Sequence, residues 1–392
     1  MATLTRLPQC IACVLTYLVG LGVLAVVAII LKRTAEDNQD EYSSETVKTV
    51  KENFYVDDCL VSVARECEAV KLADELRSLL AKGGFRLSKW VSNSPKVMET
   101  IPLKDRAKKI AGLDLSMDAL PVERALGICW DVEQDCFMYN VIPKDKPMTR
   151  RGVLSTIATM YDPHGYAAPY VMKAKMLLQE MTAMKLEWDD PLPTHLCQKW
   201  QDWLDDMKYM EEFTVNRCLK PHDFGEVSDR QLHHFSDASE KGYGAVSYMR
   251  LTNTDGKVYS SIVIAKSHVT PLKKITVPRL ELMAATLSVK LDALIRRQLD
   301  LSISESHFWT DSTIVLNYVR NEEKRYKTFV ANRVAAIHEG SNSDQWSHVD
   351  STAIRQMNCP EESAMELIQN TRWTEDQASL SNQKTTGHET QQ

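Results

Sequence analysis

The chain of 392 residues sets 47 Lys and Arg against 53 Asp and Glu, a formal charge of −6, with 44% apolar and 7% aromatic residues. That length accommodates two or three domains with ordinary globular cores, and the acidic balance excludes a general polycationic nucleic-acid binder. Nine cysteines, an odd number with no repeated metal spacing, point to reduced thiols in the cytosol or nucleus and away from a disulfide framework.

Ile11 to Leu31 is a run of 21 residues without a charge, flanked by Arg6 and by Lys32-Arg33. At about 1.5 Å per residue a helix of that length spans roughly 31 Å, the thickness of a bilayer core. It is longer than a signal-peptide core and lacks a small-residue cleavage site, so the expectation is a retained N-terminal apolar helix contacting a membrane through residues 11–31. A buried helix is the alternative; without a span the chain is expected to be cytoplasmic or nuclear. Cys10 and Cys13 form a lone C-x-x-C beside the run, better suited to lipid attachment than to a metal.

Phe54 to Val63 follows, with Tyr55-Val56-Asp57-Asp58 set between apolar flanks. This reads as a hairpin presenting two acids. Val70 to Leu80 has helical periodicity and ends at Lys82-Gly83-Gly84. Between Lys104 and Glu226 no spacing assigns chemistry. Leu126 to Trp130 and Cys136 to Ile142 read as strands joined by an acidic turn, and Arg150 to Met160 and Ala168 to Met184 as helices broken at Asp162-Pro163-His164-Gly165. Trp200, Trp203, Leu204 and Met207 mark a further amphipathic helix; His164 and the tryptophans read as turn and core residues, not ligands.

From Gln231 the pattern sharpens. A strand ends at Asp237; Tyr243 to Leu251 and Val258 to Val269 are joined across Asp255-Gly256, a strong hairpin signal. After Pro278 a helix places Leu280, Met283, Ala284, Leu287, Leu291, Leu294 and Ile295 on one face, with Glu281 in its first turn. Ser306 to Trp309 reads as a buried strand delivering Asp311 to the helical run Ser312 to Val319. Thr328 to Gly340 is helical, Gln345 to Val349 a last strand, and the tail from Thr371 is polar.

Asp237, Glu281 and Asp311 could therefore converge at one sheet edge, where three carboxylates repel unless a cation sits among them. Hard oxygen donors suit Mg²⁺ or Mn²⁺, and two such ions clamp the oxygens of a phosphodiester. Taken singly, each acid is equally a helix-terminal charge or a turn cap. Glu226 to Asp350 holds 16 Lys and Arg against 15 Asp and Glu, so this segment is near neutral while the rest is acidic. Lys273, Lys274, Arg279 and Arg320 are its candidate nucleic-acid contacts. His233 and His234 fall on opposite faces of a strand.

The wording HHFSDAS, VPRLELMAA and FWTDSTIVLNYV resembles the ribonuclease H domain of BEL/Pao long-terminal-repeat retrotransposon polyproteins. FYVDDCLVSV and GGFRLSKWVSN resemble the reverse-transcriptase palm of the same elements, and TRRGVLSTIATMYDPHGYAAPYVMKAKMLLQEM their connection region. The resemblance covers roughly Arg33 to Asp376. It implies an α/β fold in which a ribonuclease H-like mixed sheet with flanking helices follows a truncated α+β polymerase palm. With the apolar helix read from hydropathy at 1–34, the divisions it implies are 35–103 partial palm, 104–225 thumb or connection, 226–350 ribonuclease H-like domain and 351–392 altered, largely disordered tail.

By the same resemblance Asp237, Glu281 and Asp311 are catalytic metal ligands for cutting RNA in an RNA–DNA hybrid. Asp57 and Asp58 are the ligands of the palm. Two departures bear on activity. A polymerase palm needs another Asp on an earlier strand, so polymerisation is not expected. The family's fourth acid lies in an Asn-Pro-Ala-Asp-like motif after Trp-x-His-Val, whereas Trp346, His348 and Val349 here run into DSTAIRQMNCPEESAM, leaving Asp350, Glu361 or Glu362 as substitutes. A non-catalytic, membrane-tethered or nucleic-acid-binding protein is the alternative of a different class. An aspartic peptidase is disfavoured because Asp311-Ser312-Thr313 and Asp237-Ala238-Ser239 lack its glycine turn. Oligomeric state is open.

Overall fold

The computed structural model describes residues 9–16, 24–55, 57–110, 113, 121–125, 128–139, 146–221, 223–299, 301–321 and 324–350. Contacts divide the chain into two compact units, Met1–Tyr139 with Thr214–Cys218 and Asn140–Phe213 with Leu219–Gln392.

In the first unit the apolar run expected to be one helix is split. Gln9–Thr16 is a strand, β1, and Leu24–Asp37 a helix, α1. β1 lies inside a four-stranded sheet of order β2-β3-β1-β4, antiparallel to β3 (Asp58–Val63) and β4 (Arg86–Ser92), with β2 at Phe54–Tyr55. α1 buries Val27, Leu31 and Ala35 in the same core as Leu72, Leu76 and Leu79 of α3 (Glu66–Lys82). The interior strand and the start of α1, as far as Leu31, both lack charge, so a run taken across the two reaches the length of a span. Among the described residues no helix is long and apolar enough to cross a membrane.

α2 (Ser44–Glu52) is tied to α3 through Glu75, which accepts hydrogen bonds from Ser43 Oγ at 2.5 Å and Thr46 Oγ1 at 2.6 Å. The β2–β3 hairpin carries Asp57 in its turn and Asp58 opposite Tyr55, both half-buried. Asp58 also pairs with Val14 of β1, and β1 contains no acid. After α4 (Pro95–Thr100), a second sheet of order β5-β6-β7-β8 follows, from Val122–Ala125, Ile128–Asp131, Cys136–Met138 and Thr214–Asn216. Asp135, in the β6–β7 turn, forms a buried pair with Arg217 (Oδ1–Nε 2.6 Å, Oδ2–Nη2 2.7 Å) and accepts from Trp130 Nε1 at 3.0 Å. The acidic turn of the sequence is thus a fastening between β7 and β8.

The second unit opens with α5 (Arg150–Ile157), capped by Thr149 on the Gly152 N–H, then α6 (Ala168–Ala183) and α7 (Thr194–Asp206). Trp200 and Trp203 are 3% exposed, and Tyr170 stacks on Trp203 at 4.6 Å, so these aromatics are core. The break before α6 is built by Asp162, whose carboxylate accepts the Tyr166 and Ala167 N–H groups. Gly165 there has φ +75°, and a Cβ would stand 1.9 Å from the Ala265 carbonyl oxygen, so no other residue fits.

The five-stranded sheet has the order β11-β10-β9-β12-β13. β9 (Val227–Ala238), β10 (Gly242–Asn253) and β11 (Val258–Val269) form an antiparallel meander, and β12 (Glu305–Thr310) and β13 (Trp346–His348) add in parallel beyond β9. α8 (Val277–Gln298) crosses one face, followed by α9 (Thr313–Arg320) and α10 (Thr328–Gly340). The buried face of α8 differs from the expected one. Leu280, Ala284, Leu291 and Ile295 are buried as the periodicity implies, but Met283, Leu287 and Leu294 are half-buried, and Leu282, Ser288 and Asp292 lie underneath. The reason is that α8 packs against the sheet on one side and α10 on the other, so its buried arc is wider than one apolar stripe.

Candidate active site

Strand register assembles the acids. Ser236 of β9 pairs with Thr310 of β12 in a parallel ladder, so Asp237, the next residue of β9 and still paired with Gly244 of β10, and Asp311, just past β12, stand at the same end of neighbouring strands. Glu281, expected in the first turn of its helix, lies in the second turn of α8 because the helix already starts at Val277, with Pro278 in its first turn, and from there it reaches this edge. The Ser312 hydroxyl donates to Glu281 Oε2 at 2.5 Å and accepts the Val315 N–H at 3.2 Å, capping α9 with the residue that contacts the acid. Burial pushes the Glu281 carboxyl above its ordinary range, and the negative charge of Asp311 pushes the same way while the Ser312 bond opposes. Asp237 Oδ1 accepts the Ala238 N–H at 2.6 Å.

All three acids are half-buried, open enough to meet a ligand. Each of Glu281 and Asp237 is turned to a local partner, and among the described residues no three His, Cys, Asp or Glu side chains are already gathered at metal-binding spacing. The fourth acid has one described candidate. His348 pairs with Thr310, and Val349 N donates to the Thr310 carbonyl at 3.2 Å, placing exposed Asp350 at the edge that carries Asp237 and Asp311. Glu361 and Glu362 lie outside the described residues.

The cationic candidates separate. Lys273 and Lys274 are exposed on the connection between β11 and α8, and Arg279 is exposed in the first turn of α8. Arg320 donates to the Trp346 carbonyl at 3.3 Å, tying α9 to β13. Asp57 and Asp58 belong to the first unit and the other three acids to the second.

Beneath α8 lies a polar network that the periodicity does not reveal. His234 Nδ1 is 2.8 Å from Ser247 Oγ and its Nε2 is 3.0 Å from Asp292 Oδ1; Asp292 also takes a bond from Ser306 and pairs with Arg296 at 3.2 Å. Ser, His and Asp stand in the order of a hydrolase triad, yet Ser247 and His234 are both 0% exposed, so no substrate reaches them. The network pins α8 to β9, β10 and β12. His233 points the other way, accepting from Trp309 Nε1 at 3.2 Å, as strand alternation requires. The doublet His233-His234 was the signal available, but a partner 58 residues away is invisible to local pattern.

Residues 149–312 match the family described as Pao retrotransposon-like RNaseH-like domain. No curated protein matches the chain. Among solved structures, a foamy viral protease-reverse transcriptase in complex with double-stranded DNA aligns at 15% identity and a TM-score of 0.46, over 84% of this chain and 48% of that one. The chain thus spans about half the length of that protein. RNase H1 from the halophilic archaeon Halobacterium salinarum NRC-1 aligns at 15% identity and TM-score 0.22, over 31% of this chain and 88% of its own. LC11-RNase H1 in complex with an RNA/DNA hybrid aligns at 14% and 0.23, over 36% and 97%. The family match is thus to one segment: residues 149–312 are similar to the Pao retrotransposon-like RNaseH-like domains.

Proposed function

We propose that the unit containing β9 to β13 hydrolyses the RNA strand of RNA–DNA hybrids, with Asp237, Glu281 and Asp311 holding Mg²⁺ or Mn²⁺. The observation that carries this reading is the parallel register of β9 and β12, which sets Asp237 beside Asp311 at the edge Glu281 reaches. The donor set fits. Three carboxylates are the hard oxygen ligands these ions take, and the Glu281 carboxyl, raised chiefly by burial with the charge of Asp311 adding to it, is one that a bound cation would stabilise in its ionised form. When bound, such ions polarise phosphoryl oxygens and lower the pKa of a coordinated water.

The chain's own residues supply position. Asp237 and Asp311 are fixed by strand ends, Glu281 by the second turn of α8, and Ser312, the residue after Asp311, holds Glu281 by a hydrogen bond. Asp350 is the proposed substitute for the displaced fourth acid. No polymerisation is proposed for the first unit, because β1, the strand next to the Asp57-Asp58 hairpin, offers no third carboxylate.

The test is cleavage of a labelled RNA–DNA hybrid by the full chain with Mg²⁺ or Mn²⁺. Cutting confined to the RNA strand and reduced at least about 100-fold in Asp237→Asn, the scale of losing one group that stabilises transition-state charge, is expected. A folded chain that binds hybrid without cutting it would instead establish the binding-only alternative.

A further inference from the structure

The outer edge of the five-stranded sheet is covered unevenly. β11 is its edge strand, and the segment before α6 lies against it: the His164 carbonyl accepts the Ala265 N–H at 2.7 Å, and the Tyr166 hydroxyl donates to the Val263 carbonyl at 3.3 Å. Further along, Gln179 of α6 donates to the Thr270 carbonyl. Ser267 falls between these two fastenings. Lys266 and His268 turn their carbonyls to β10, 3.0 Å from where a Cβ on Gly244 or Gly242 would stand, so the alternation of the ladder turns the N–H and C=O of Ser267 outward, like those of Ala265. Among the described residues no backbone group pairs with them.

Ser267 lines a cavity of about 400 Å³ within the second unit, bounded by β11, the end of α5 and the start of α6. Ile157, Met160, Ala168 and Val171 give it apolar surface, and Lys175 and Lys266, both exposed, give it positive charge. Asp162, the acid of the lining, already accepts the Tyr166 and Ala167 N–H groups at 3.0 and 2.9 Å. Burial, with the charges of both lysines adding to it, holds His268 of the same lining below the histidine range. An unpaired strand edge takes an amide, two lysines take a carboxylate, and apolar surface takes a side chain. The last residue of a peptide carries all three within its own length. A phosphate backbone would use the lysines alone and leave Ser267 and the apolar surface unmatched.

We propose that this cavity captures the C-terminal residue of a peptide chain, its amide added to the β11 edge at Ser267, its free carboxylate at Lys175 and Lys266, and an apolar side chain against Met160 and Val171. The site lies two strands out from β9 and does not rest on the nuclease reading.

The experiment titrates the full chain into fluorescein-labelled pentapeptides ending in leucine, isoleucine, valine or phenylalanine, each made with a free C-terminal carboxylate and as the amide, and follows anisotropy. A free-carboxylate peptide should bind saturably, and amidation should weaken it about tenfold or more, as loss of a charge-assisted contact does. Lys266→Glu and Ser267→Pro should each weaken it as much, while Lys266→Arg keeps binding. The Ser267 N–H points away from β10, so proline there removes the outward donor without a ladder bond, and melting curves separate lost contact from lost fold. The comparison with amides uses the unaltered chain and stays decisive if a variant fails to fold. No saturable binding by any of the peptides, equal binding of free and amidated forms, or wild-type affinity in Lys266→Glu would overturn the proposal. Displacement by an RNA–DNA hybrid of peptides whose binding ignores amidation would overturn it too and assign the lysines to nucleic acid.

Discussion

At the scale of single residues, Glu281 shows what an acidic edge costs without its cation. Burial and the charge of Asp311 raise its pKa in the folded chain, so the folded state holds a proton more tightly than the unfolded one. The stability linked to this group is therefore present below the ordinary glutamate range and is lost as pH rises through the raised folded value. In metal-free buffer Glu281→Gln should melt above wild type at neutral pH and level with it in acid. Thermal melts across pH 4–8 check this, and a variant that melts lower at neutral pH would refute it. That the acids fall near element ends was legible, because Asp237 lies at the end of a strand, Asp311 follows one and Glu281 lies near a helix start, and strand and helix patterns are local. Ser312 as Glu281's partner was not, since a serine after an aspartate reads only as a helix cap.

At the scale of elements, α8 is held by charge as well as by its apolar arc. Burial alone would push the Asp292 carboxyl up, but hydrogen bonds from His234 and Ser306 outweigh it and hold the group below the carboxylate range. Burial likewise holds His234 below the histidine range, so it sits neutral in the fold. Both shifts have the same sign: the unfolded chain binds more protons, and stability falls as pH drops from about 6.5 through the carboxylate range. Asp292→Ala leaves the buried His234 and Ser306 donors without their acceptor and should cost about 1–3 kcal/mol in denaturant titrations. A loss below 1 kcal/mol would show that the network does not fasten α8.

The apolar run near the N-terminus is the element that pattern alone misreads. Its missing charges are common to a membrane span, an interior strand and a packed helix, and only the pairing of β1 between β3 and β4 separates them. Leu31 is 2% exposed and Ile29 67% exposed on α1. Leu31→Ala should cost about 2–5 kcal/mol and Ile29→Ala less than about 0.5 kcal/mol. Equal effects at the two positions would contradict the packed helix.

Across the whole molecule, the chain joins two units with separate sets of acids, and its chemistry is argued for one of them. The meander, α8 and the parallel strands of that unit were readable from alternation, the Asp255-Gly256 turn and helical spacing. Of the small sheet, β6 and β7 were readable as two strands joined by an acidic turn, but β8 was not, because it comes from Thr214–Asn216, far along the chain from β7. The central claim is that Asp237, Glu281 and Asp311 form one cation site. Calorimetric titration of the full chain with Mn²⁺, in two buffers of different ionisation enthalpy, tests it most directly. Binding that is abolished in Asp237→Asn and in Asp311→Asn, with proton release that grows as the pH is lowered, is the predicted result. Unchanged Mn²⁺ affinity in either variant would contradict it.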